Sequence, residues 1–309
     1  MLARIAQELF WLGRNLARAE QTSRLLDGVF QADLQGRPEG QRSATLSWES
    51  LMHIMGGRRD REVSDDRDAV LDALTRDPDN PASVVACVAR AREGAAAVRD
   101  VISAEMWEAI NTTHLRLRDG DVLTRLHPGP YGIYQHVKER SALFWGLTAR
   151  TMLRDEASAF LLAGGRIEAG DMVLRMLRVA LPVVPDGNEA DGEAIALLQA
   201  VGGFQAYRRA VPAPAHAKPV ARFLLFERNY PDSVAAAVDA VNASLRTADA
   251  HPRSSEPILR LSRLSADLEF RRSAESDADL RVTCQEVQRE LGLVDADIAE
   301  RYFGGARAV

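Results

Sequence analysis

Two segments of the chain repeat a small residue, an acid and an arginine at helical spacing. The first carries Gly13, Ala17, Glu20 and Arg24, and the second carries Gly164, Glu168, Asp171 and Arg175. Each of the acids Glu20 and Asp171 precedes an arginine by four residues, the spacing of an ion pair on one helix face. Arginine also binds carboxylate or phosphate groups bidentately, and a carboxylate beside it can be tuned for proton transfer. The spacing leaves two alternatives open: exposed ion pairs, or a polar cleft where the two faces meet.

A second concentration of charge brackets an apolar run. Lys138, Glu139 and Arg140 precede residues 143–147, and Arg154, Asp155 and Glu156 follow them. Charged residues are mostly exposed in folded proteins, so solvated helix ends are the default interpretation. A polar cleft between helices is the alternative.

Other chemistry is poorly represented. None of the six histidines belongs to an HExxH or ExxH motif. The pairs Glu49 with His53 and His136 with Glu139 each offer only two metal ligands. Glycine-rich phosphate loops and a GxSxG motif are absent from the sequence, which argues against a self-contained nucleotide hydrolase or serine esterase. We therefore predict neither a metal site nor a cofactor.

The elements that must position the charged residues are helices. Apolar residues recur at steps of three and four from Leu2 to Leu26, and sustained period-two alternation is missing, so the chain is predicted to be all-α. Asn80 is predicted to cap a long helix that contains Pro81 in its first turn and continues to Ile110. Further helices are predicted over 133–150, 155–181, 232–247, 256–272 and 277–302.

The chain matches itself when it is shifted by about 150 residues. Residues 13–26 align with 164–177, and the segment beginning Pro81-Ala82-Ser83-Val84 aligns with Pro231-Asp232-Ser233-Val234. Two blocks at nearly one offset and in the same order indicate an internal duplication. We expect a single domain over residues 1–309, a helical bundle whose halves, about 1–150 and 151–309, pack about a pseudo-twofold axis.

Bulk composition excludes several classes of protein. The net charge is −5, from 39 basic and 44 acidic residues, and no basic block suggests a nucleic-acid partner. The uncharged run over 194–207 is too short to span a bilayer, and charges interrupt the N-terminal apolar stretch, so neither a membrane span nor a signal peptide is expected. The only two cysteines, Cys87 and Cys284, lie far apart. These features favour a cytoplasmic protein.

Several long motifs, in order, resemble one known family over most of the chain. They are LFWLGRNLARAEQTSRLLD (9–27), VARAREGAAAVRDVISAEMWEAIN (88–111), KERSALFWGLTARTMLRDEASAFLLAGGRIEAGDMVLRML (138–177) and FLLFERNYPDSV (223–234). By these motifs the sequence is similar to the alpha-E family of bacterial helical proteins, named for a recurring Glu-Arg motif.

The chain departs from the family pattern inside that motif. Members usually read Glu-Arg-Ala-Glu in the first copy and Glu-Arg-Ala-Asp in the second. Here residues 17–20 read Ala-Arg-Ala-Glu, and residues 168–171 read Glu-Ala-Gly-Asp. The first copy lacks its leading acid and the second lacks its arginine, which weakens the case for the Glu-Arg pair as an active centre.

The resemblance implies a role beside other proteins. Alpha-E proteins are typically associated with circularly permuted ATP-grasp ligases and transglutaminase-like proteins, so the leading hypothesis is a non-catalytic helical partner in ATP-dependent peptide or amide ligation. The alternative is a stand-alone enzyme acting on amino-acid or aminoacyl substrates in a polar cleft between the halves. A third possibility is an oligomerisation scaffold. The sequence leaves enzymatic activity open and assigns no catalytic residue.

Ten charged residues are predicted to bind a substrate or a partner. They are Arg14, Arg18, Glu20, Arg24, Arg140, Arg154, Glu156, Glu168, Asp171 and Arg175.

Overall fold

The protein is built from α-helices. The computed structural model describes residues 1–34, 46–55, 66–120, 124, 126–180, 190–273 and 280–304, and over these ranges it contains thirteen α-helices, one 3₁₀ turn and no strand. The helices are α1 (Ala3–Leu34), α2 (Trp48–Met55), α3 (Arg67–Thr75), α4 (Val84–Ala97), α5 (Ala104–Leu117), α6 (Tyr131–Thr151), α7 (Glu156–Ala180), α8 (Ala190–Ala200), α9 (Phe204–Ala210), α10 (Ala217–Phe226), α11 (Val234–Ala248), α12 (Glu256–Ser273) and α13 (Leu280–Tyr302). The prediction of an all-α protein is confirmed.

The long helices α1 and α7 form the centre of the bundle. They pack against each other, α1 also contacts α4 and α6, and α7 also contacts α11 and α13. The apolar stripe predicted on α1 is buried at Leu9, Leu16 and Leu26, whereas Leu2 at its start is exposed. Because both central helices are covered on several sides, any polar side chain between them lies in the interior.

Neighbouring helices pack in the same order in both halves. The contacts of α1 with α4, α4 with α5, α5 with α6, and α6 with α1 have counterparts in α7 with α11, α11 with α12, α12 with α13, and α13 with α7. Six buried positions of α6 lie 150 residues before six buried positions of α13. They are Ile133, Tyr134, Val137, Ser141, Phe144 and Thr148, and Thr283, Cys284, Val287, Leu291, Val294 and Ile298. This register is what a duplicated half would produce; the duplication itself stays a prediction.

The prediction of one continuous helix from Pro81 to Ile110 is wrong. The segment forms two helices, α4 and α5, separated by residues 98–103. Asn80 caps neither, because its side-chain Oδ1 accepts from the nearby Ala82 N–H, 3.0 Å away. The N-caps are Ser83 and Ser103, whose hydroxyls accept from the backbone N–H groups three residues ahead. Serine in these positions satisfies an N–H group that a helix start leaves unpaired.

The caps of α4 and α11 have matching geometry and should be important for stability. The Ser83 hydroxyl accepts from Ala86 N–H at 3.1 Å and donates to the Asp77 carbonyl at 2.5 Å, and the Ser233 hydroxyl makes the equivalent pair of bonds. Both serines are completely buried. We expect Ser83→Ala and Ser233→Ala each to lower the free energy of unfolding by about 1–2 kcal/mol. Urea denaturation measures this, with the exposed Ser254→Ala as a control that should change stability by less than about 0.5 kcal/mol. Equal effects of all three would contradict the prediction.

Four helices have the length of a membrane span but not its character. Helices α1, α6, α7 and α13 contain 32, 21, 25 and 23 residues, and a span needs about 20. Charged residues recur along all four, and no helix in the described ranges is apolar enough over a sufficient length to cross a bilayer.

Candidate functional site

Two glycines bring the backbones of α1 and α7 into contact. A Cβ atom added to Gly13 would lie 2.1 Å from the Leu161 carbonyl oxygen, and one added to Gly164 would lie 1.9 Å from the Phe10 carbonyl oxygen. Real Cβ atoms do not come this close to an oxygen, so only glycine fits at either position. The close crossing places the next turns of the two helices side by side.

The next turns carry a buried carboxylate held by two arginines. Glu168 of α7 is completely buried. Its Oε1 accepts from Arg18 Nε at 2.6 Å, and its Oε2 accepts from Arg18 Nη2 and from Arg14 Nε, both at 2.9 Å. Arg14 and Arg18 lie on successive turns of α1, so the ion pair joins the two central helices.

A third helix completes this cluster. Arg14 Nη1 donates to the Asp295 carboxylate of α13 at 2.7 Å, and the Arg14 guanidinium lies over the Trp11 ring with 4.8 Å to its centroid. The Asp295 side chain is 36 % exposed, compared with 1 % for the Glu168 side chain. Arg14 therefore connects a buried anion to one at the surface. We call Arg14, Arg18, Glu168 and Asp295 the crossing cluster.

Glu168, Arg14 and Arg18 stay charged over the whole physiological pH range. Burial alone would raise the pKa of Glu168, but the charges of Arg18 and Arg14 outweigh it and lower that pKa to about 2. Burial would likewise lower the pKa of both arginines, and the Glu168 carboxylate more than offsets it, so both are raised. A general acid or base near neutral pH needs a pKa close to the working pH. Glu168 has the opposite property, and both of its oxygens already accept hydrogen bonds.

The acids that precede an arginine by four residues form the ion pairs that the spacing predicts. Arg24 Nη2 lies 2.8 Å from Glu20 Oε1, and Arg175 Nη2 lies 2.6 Å from Asp171 Oδ2. The Asp171 carboxylate also accepts from Gln288 Nε2 of α13 at 2.9 Å. Both acid side chains are 16 % exposed. These pairs lie near the surface, unlike Glu168.

The remaining predicted residues lie apart from the crossing cluster. Arg140 of α6 donates to the Thr112 hydroxyl of α5 at 3.2 Å, and Arg154 is exposed between α6 and α7. Glu156 pairs with the α-amino group of Met1 at 2.7 Å and lines a cleft of about 360 Å³ beside the start of α1. The charges that bracket the apolar run 143–147 are therefore divided between different surfaces and do not form one cleft.

Two partners of predicted residues, Asp295 and Gln288, were not predicted from the sequence. Asp295 lies 281 residues from Arg14, and Gln288 lies 117 residues from Asp171. Neither belongs to a recognisable motif. Only the register of α6 and α13, which places their buried positions 150 residues apart, indicates which face of α13 meets α7.

The described residues offer no metal site, and the Cys87 thiol is not activated. They contain no group of three or more His, Cys, Asp or Glu side chains placed to hold a metal ion. Cys87 is completely buried, and burial raises the pKa of its thiol to about 11 although Arg18 and Arg90 oppose the shift. A thiol in this state is protonated and unreactive near neutral pH.

Substituting the acids of the two i,i+4 pairs measures how much these pairs contribute to stability. We expect Glu20→Gln and Asp171→Asn to lower the free energy of unfolding by less than about 1 kcal/mol each, because partly exposed ion pairs contribute little. Thermal and urea denaturation followed by circular dichroism would measure this. An unfolded Asp171→Asn protein would show that this pair is essential to the fold, contrary to the prediction.

Fold and site together define an all-helical protein whose central charged residues hold its two longest helices together. A family model for Alpha-E, described as a predicted alpha-helical domain with a conserved ER motif, matches residues 1–303. The chain belongs to the Alpha-E family.

Curated relatives of the chain are longer proteins. Uncharacterized proteins of Mycobacterium bovis and Mycobacterium tuberculosis are each 25% identical over 273 residues, which cover 82% of this chain and 31% of theirs. The chain thus spans about a third of the length of these relatives. No solved structure matches the chain significantly.

The crossing cluster connects the two incomplete copies of the Glu-Arg motif. Arg18 remains in the first copy and Glu168 in the second, and these two residues form the buried pair. The residues in place of the missing acid and arginine, Ala17 and Ala169, are both buried as well. The motif residues Arg18 and Glu168 therefore serve the contact between α1 and α7.

Proposed function

We propose that the chain is a non-catalytic helical partner of a circularly permuted ATP-grasp ligase in peptide or amide ligation in a bacterial cytoplasm. A transglutaminase-like protein is the second partner that the family resemblance implies. The observation that carries the proposal is the state of Glu168: it is fully buried, its pKa is about 2 and both its oxygens accept from arginine. A residue in this state stabilises a fold and does not transfer protons.

The length of the relatives supports the same proposal. Their matching region makes up 31% of each chain, so in those proteins a helical region of this kind is joined to a larger remainder. Covalent joining raises the effective concentration of two modules that act together.

Binding and activity can be tested with two purified proteins. The full chain is mixed with the circularly permuted ATP-grasp ligase encoded in the same genome, complex formation is measured by calorimetry, and ATP-dependent amide formation is followed by ADP release. We expect a stoichiometric complex and an increase of about tenfold or more in the ligase rate when the chain is present. A ligase that works at its full rate alone and does not bind the chain would overturn the proposal.

One variant separates a partner from an enzyme in this assay. Asp171→Asn removes the carboxylate that a stand-alone enzyme would use beside Arg175, yet leaves the crossing cluster intact. A non-catalytic partner should stimulate the ligase as before when it carries this substitution. Loss of all activity in a folded Asp171→Asn protein would instead favour a catalytic role for this chain.

A further inference from the structure

The groove between α12 and α13 is closed by ion pairs. Arg263 of α12 lies 2.8 Å from Glu290 of α13, and Arg271 of α12 lies 2.7 Å from Glu286 of α13. Arg271 also pairs with Asp267 on its own helix at 2.9 Å. Acids and arginines therefore alternate across this contact, and the charges are balanced within the protein.

The groove between α5 and α6 occupies the same position in the other half. Four buried positions of α5 lie 151 residues before four of α12: Met106, Ile110, Thr113 and Leu117, and Pro257, Leu261, Leu264 and Leu268. Together with the register of α6 and α13, this assigns each groove residue a counterpart.

The counterparts are basic residues where the groove between α12 and α13 has acidic ones. Arg140 takes the position of Glu290, His136 that of Glu286 and Arg116 that of Asp267. Thus three positions that hold carboxylates in one groove hold two arginines and a histidine in the other. Within the described ranges, neither Arg116 nor Arg140 pairs with a carboxylate.

Two nitrogens of this groove also have no partner in the part of the chain that the structure describes. Arg140 Nε and His136 Nε2 are buried and have no hydrogen-bond partner among the described residues. Arg140 Nη2 donates to the Thr112 hydroxyl at 3.2 Å, which places the arginine across the groove. The nearest acid on α6, Glu139, accepts from Gln135 at 2.8 Å. Burying a donor without an acceptor is unfavourable, and a bound anion supplies the acceptor.

We propose that Arg116, His136 and Arg140 form a binding site for a phosphate group, either free phosphate or a phosphate monoester. Arg116 is exposed and the other two side chains are half-buried, so the groove is open to solvent. Two guanidinium groups and an imidazole offer several donors to the oxygens of one dianion, and planar guanidinium groups suit phosphate well. The site is separate from the crossing cluster and does not depend on the proposed ligase partner.

The charge of the groove gives the site a spectroscopic signature. Burial first, and then the charges of Arg116 and Arg140, lower the pKa of His136, while Glu139 opposes them. A bound phosphate neutralises the two arginines and accepts from protonated imidazole. The pKa of His136 should therefore rise when phosphate binds.

The test uses the whole chain with isotopically labelled histidine. Inorganic phosphate, O-phosphoserine and acetate are titrated at constant ionic strength, binding is measured by calorimetry, and the pKa of His136 is followed by NMR. We expect saturable binding of phosphate or of the ester, a raised pKa for His136 and much weaker binding of acetate. If inorganic phosphate binds more tightly than O-phosphoserine, the natural ligand is free phosphate; if O-phosphoserine binds more tightly, it is a phosphate monoester. Binding of acetate as tightly as phosphate, or an unchanged His136 signal, would overturn the proposal.

Two matched variants of α6 sharpen the result. Arg140→Glu gives position 140 the same residue type as its counterpart, Glu290, and allows an ion pair with Arg116. The fold should therefore persist, while the affinity for phosphate should fall about tenfold or more. Arg150→Gln removes an exposed arginine from the end of the same helix and should bind phosphate like the wild type. Undiminished binding by a folded Arg140→Glu protein, or an equal loss in Arg150→Gln, would show that the affinity does not arise in this groove.

Discussion

Replacing Glu168 with glutamine should lower the free energy of unfolding by about 3–5 kcal/mol, because the change leaves Arg18 in the interior without a counter-ion and removes one of the two acids that pair with Arg14. Glutamine keeps the shape of the side chain, so the loss reports charge and not packing. Arg14 retains Asp295, whereas no other acid lies within ion-pair distance of Arg18 among the described residues. Urea denaturation at neutral pH measures the effect.

Asp295→Asn is the matched control for Glu168→Gln. It removes the other acid of the crossing cluster, but at a side chain that is 36 % exposed, and the expected loss in the free energy of unfolding is less than about 1 kcal/mol.

A double replacement of Arg18 and Glu168 by leucine should lower the free energy of unfolding less than Glu168→Gln alone, because it removes a charge from each helix. Equal losses in Glu168→Gln and Asp295→Asn would show that burial does not set the energy of this cluster.

Acid should remove the contribution of Glu168 in a defined pH range. Its pKa is about 2 in the folded protein and 4.5 ordinarily. The folded state therefore binds this proton more weakly than the unfolded state, so the stabilisation is complete above pH 4.5 and declines as pH falls towards 2. This shift corresponds to about 3 kcal/mol. The difference in unfolding free energy between the wild type and Glu168→Gln should therefore become smaller as the pH falls from 4.5 towards 2. A constant difference would show that the ionised Glu168 carboxylate does not supply this stabilisation.

The helical fold could be predicted because its periodicity is local. The apolar steps along α1 give the buried face directly, and Leu9, Leu16 and Leu26 are in the core. The break between α4 and α5 was harder to predict, because the apolar face continues through Val98 and Ile102, both of which are buried. Apolar residues stay buried through the segment that joins α4 to α5, so the hydrophobic pattern does not show where α4 ends. The N-cap at Ser103 is the sequence feature that marks the start of α5.

The candidate site could be predicted only in part, for a similar reason. The spacing of four residues predicts the pairs Glu20–Arg24 and Asp171–Arg175, because both partners lie on one helix. The pair of Arg18 with Glu168 crosses between helices 150 residues apart, and no local rule specifies it. Glu20 and Asp171, each one turn before an arginine, bond locally, while Glu168, one turn after Gly164 at the crossing, bonds to the opposite helix. The glycines are the sequence feature that distinguishes the two cases.

Adding one methyl group at either glycine should be among the most damaging changes in the protein. Gly13→Ala and Gly164→Ala place Cβ atoms 2.1 and 1.9 Å from backbone oxygens of the opposite helix, so the helices must separate. Backbone atoms cannot rotate away as a flexible side chain could. We expect each substitution to cost about 3 kcal/mol or more. Separating α1 from α7 would also lengthen the hydrogen bonds from Arg18 to Glu168. Chemical denaturation should therefore show a larger loss in the free energy of unfolding than overpacking alone would cause.

Helix propensity makes the sign of this result informative. Alanine favours a helix over glycine by about 1 kcal/mol, so an uncrowded glycine in a helix gains stability when it is replaced. Gly146 on α6 and Gly292 on α13 are such positions, because a Cβ atom at either meets nothing within 4 Å. Gly146→Ala and Gly292→Ala should therefore stabilise the protein, while the crossing substitutions destabilise it. A neutral or stabilising Gly164→Ala would mean that α1 and α7 do not touch at this crossing, and the buried pair that depends on their contact would have to be reconsidered.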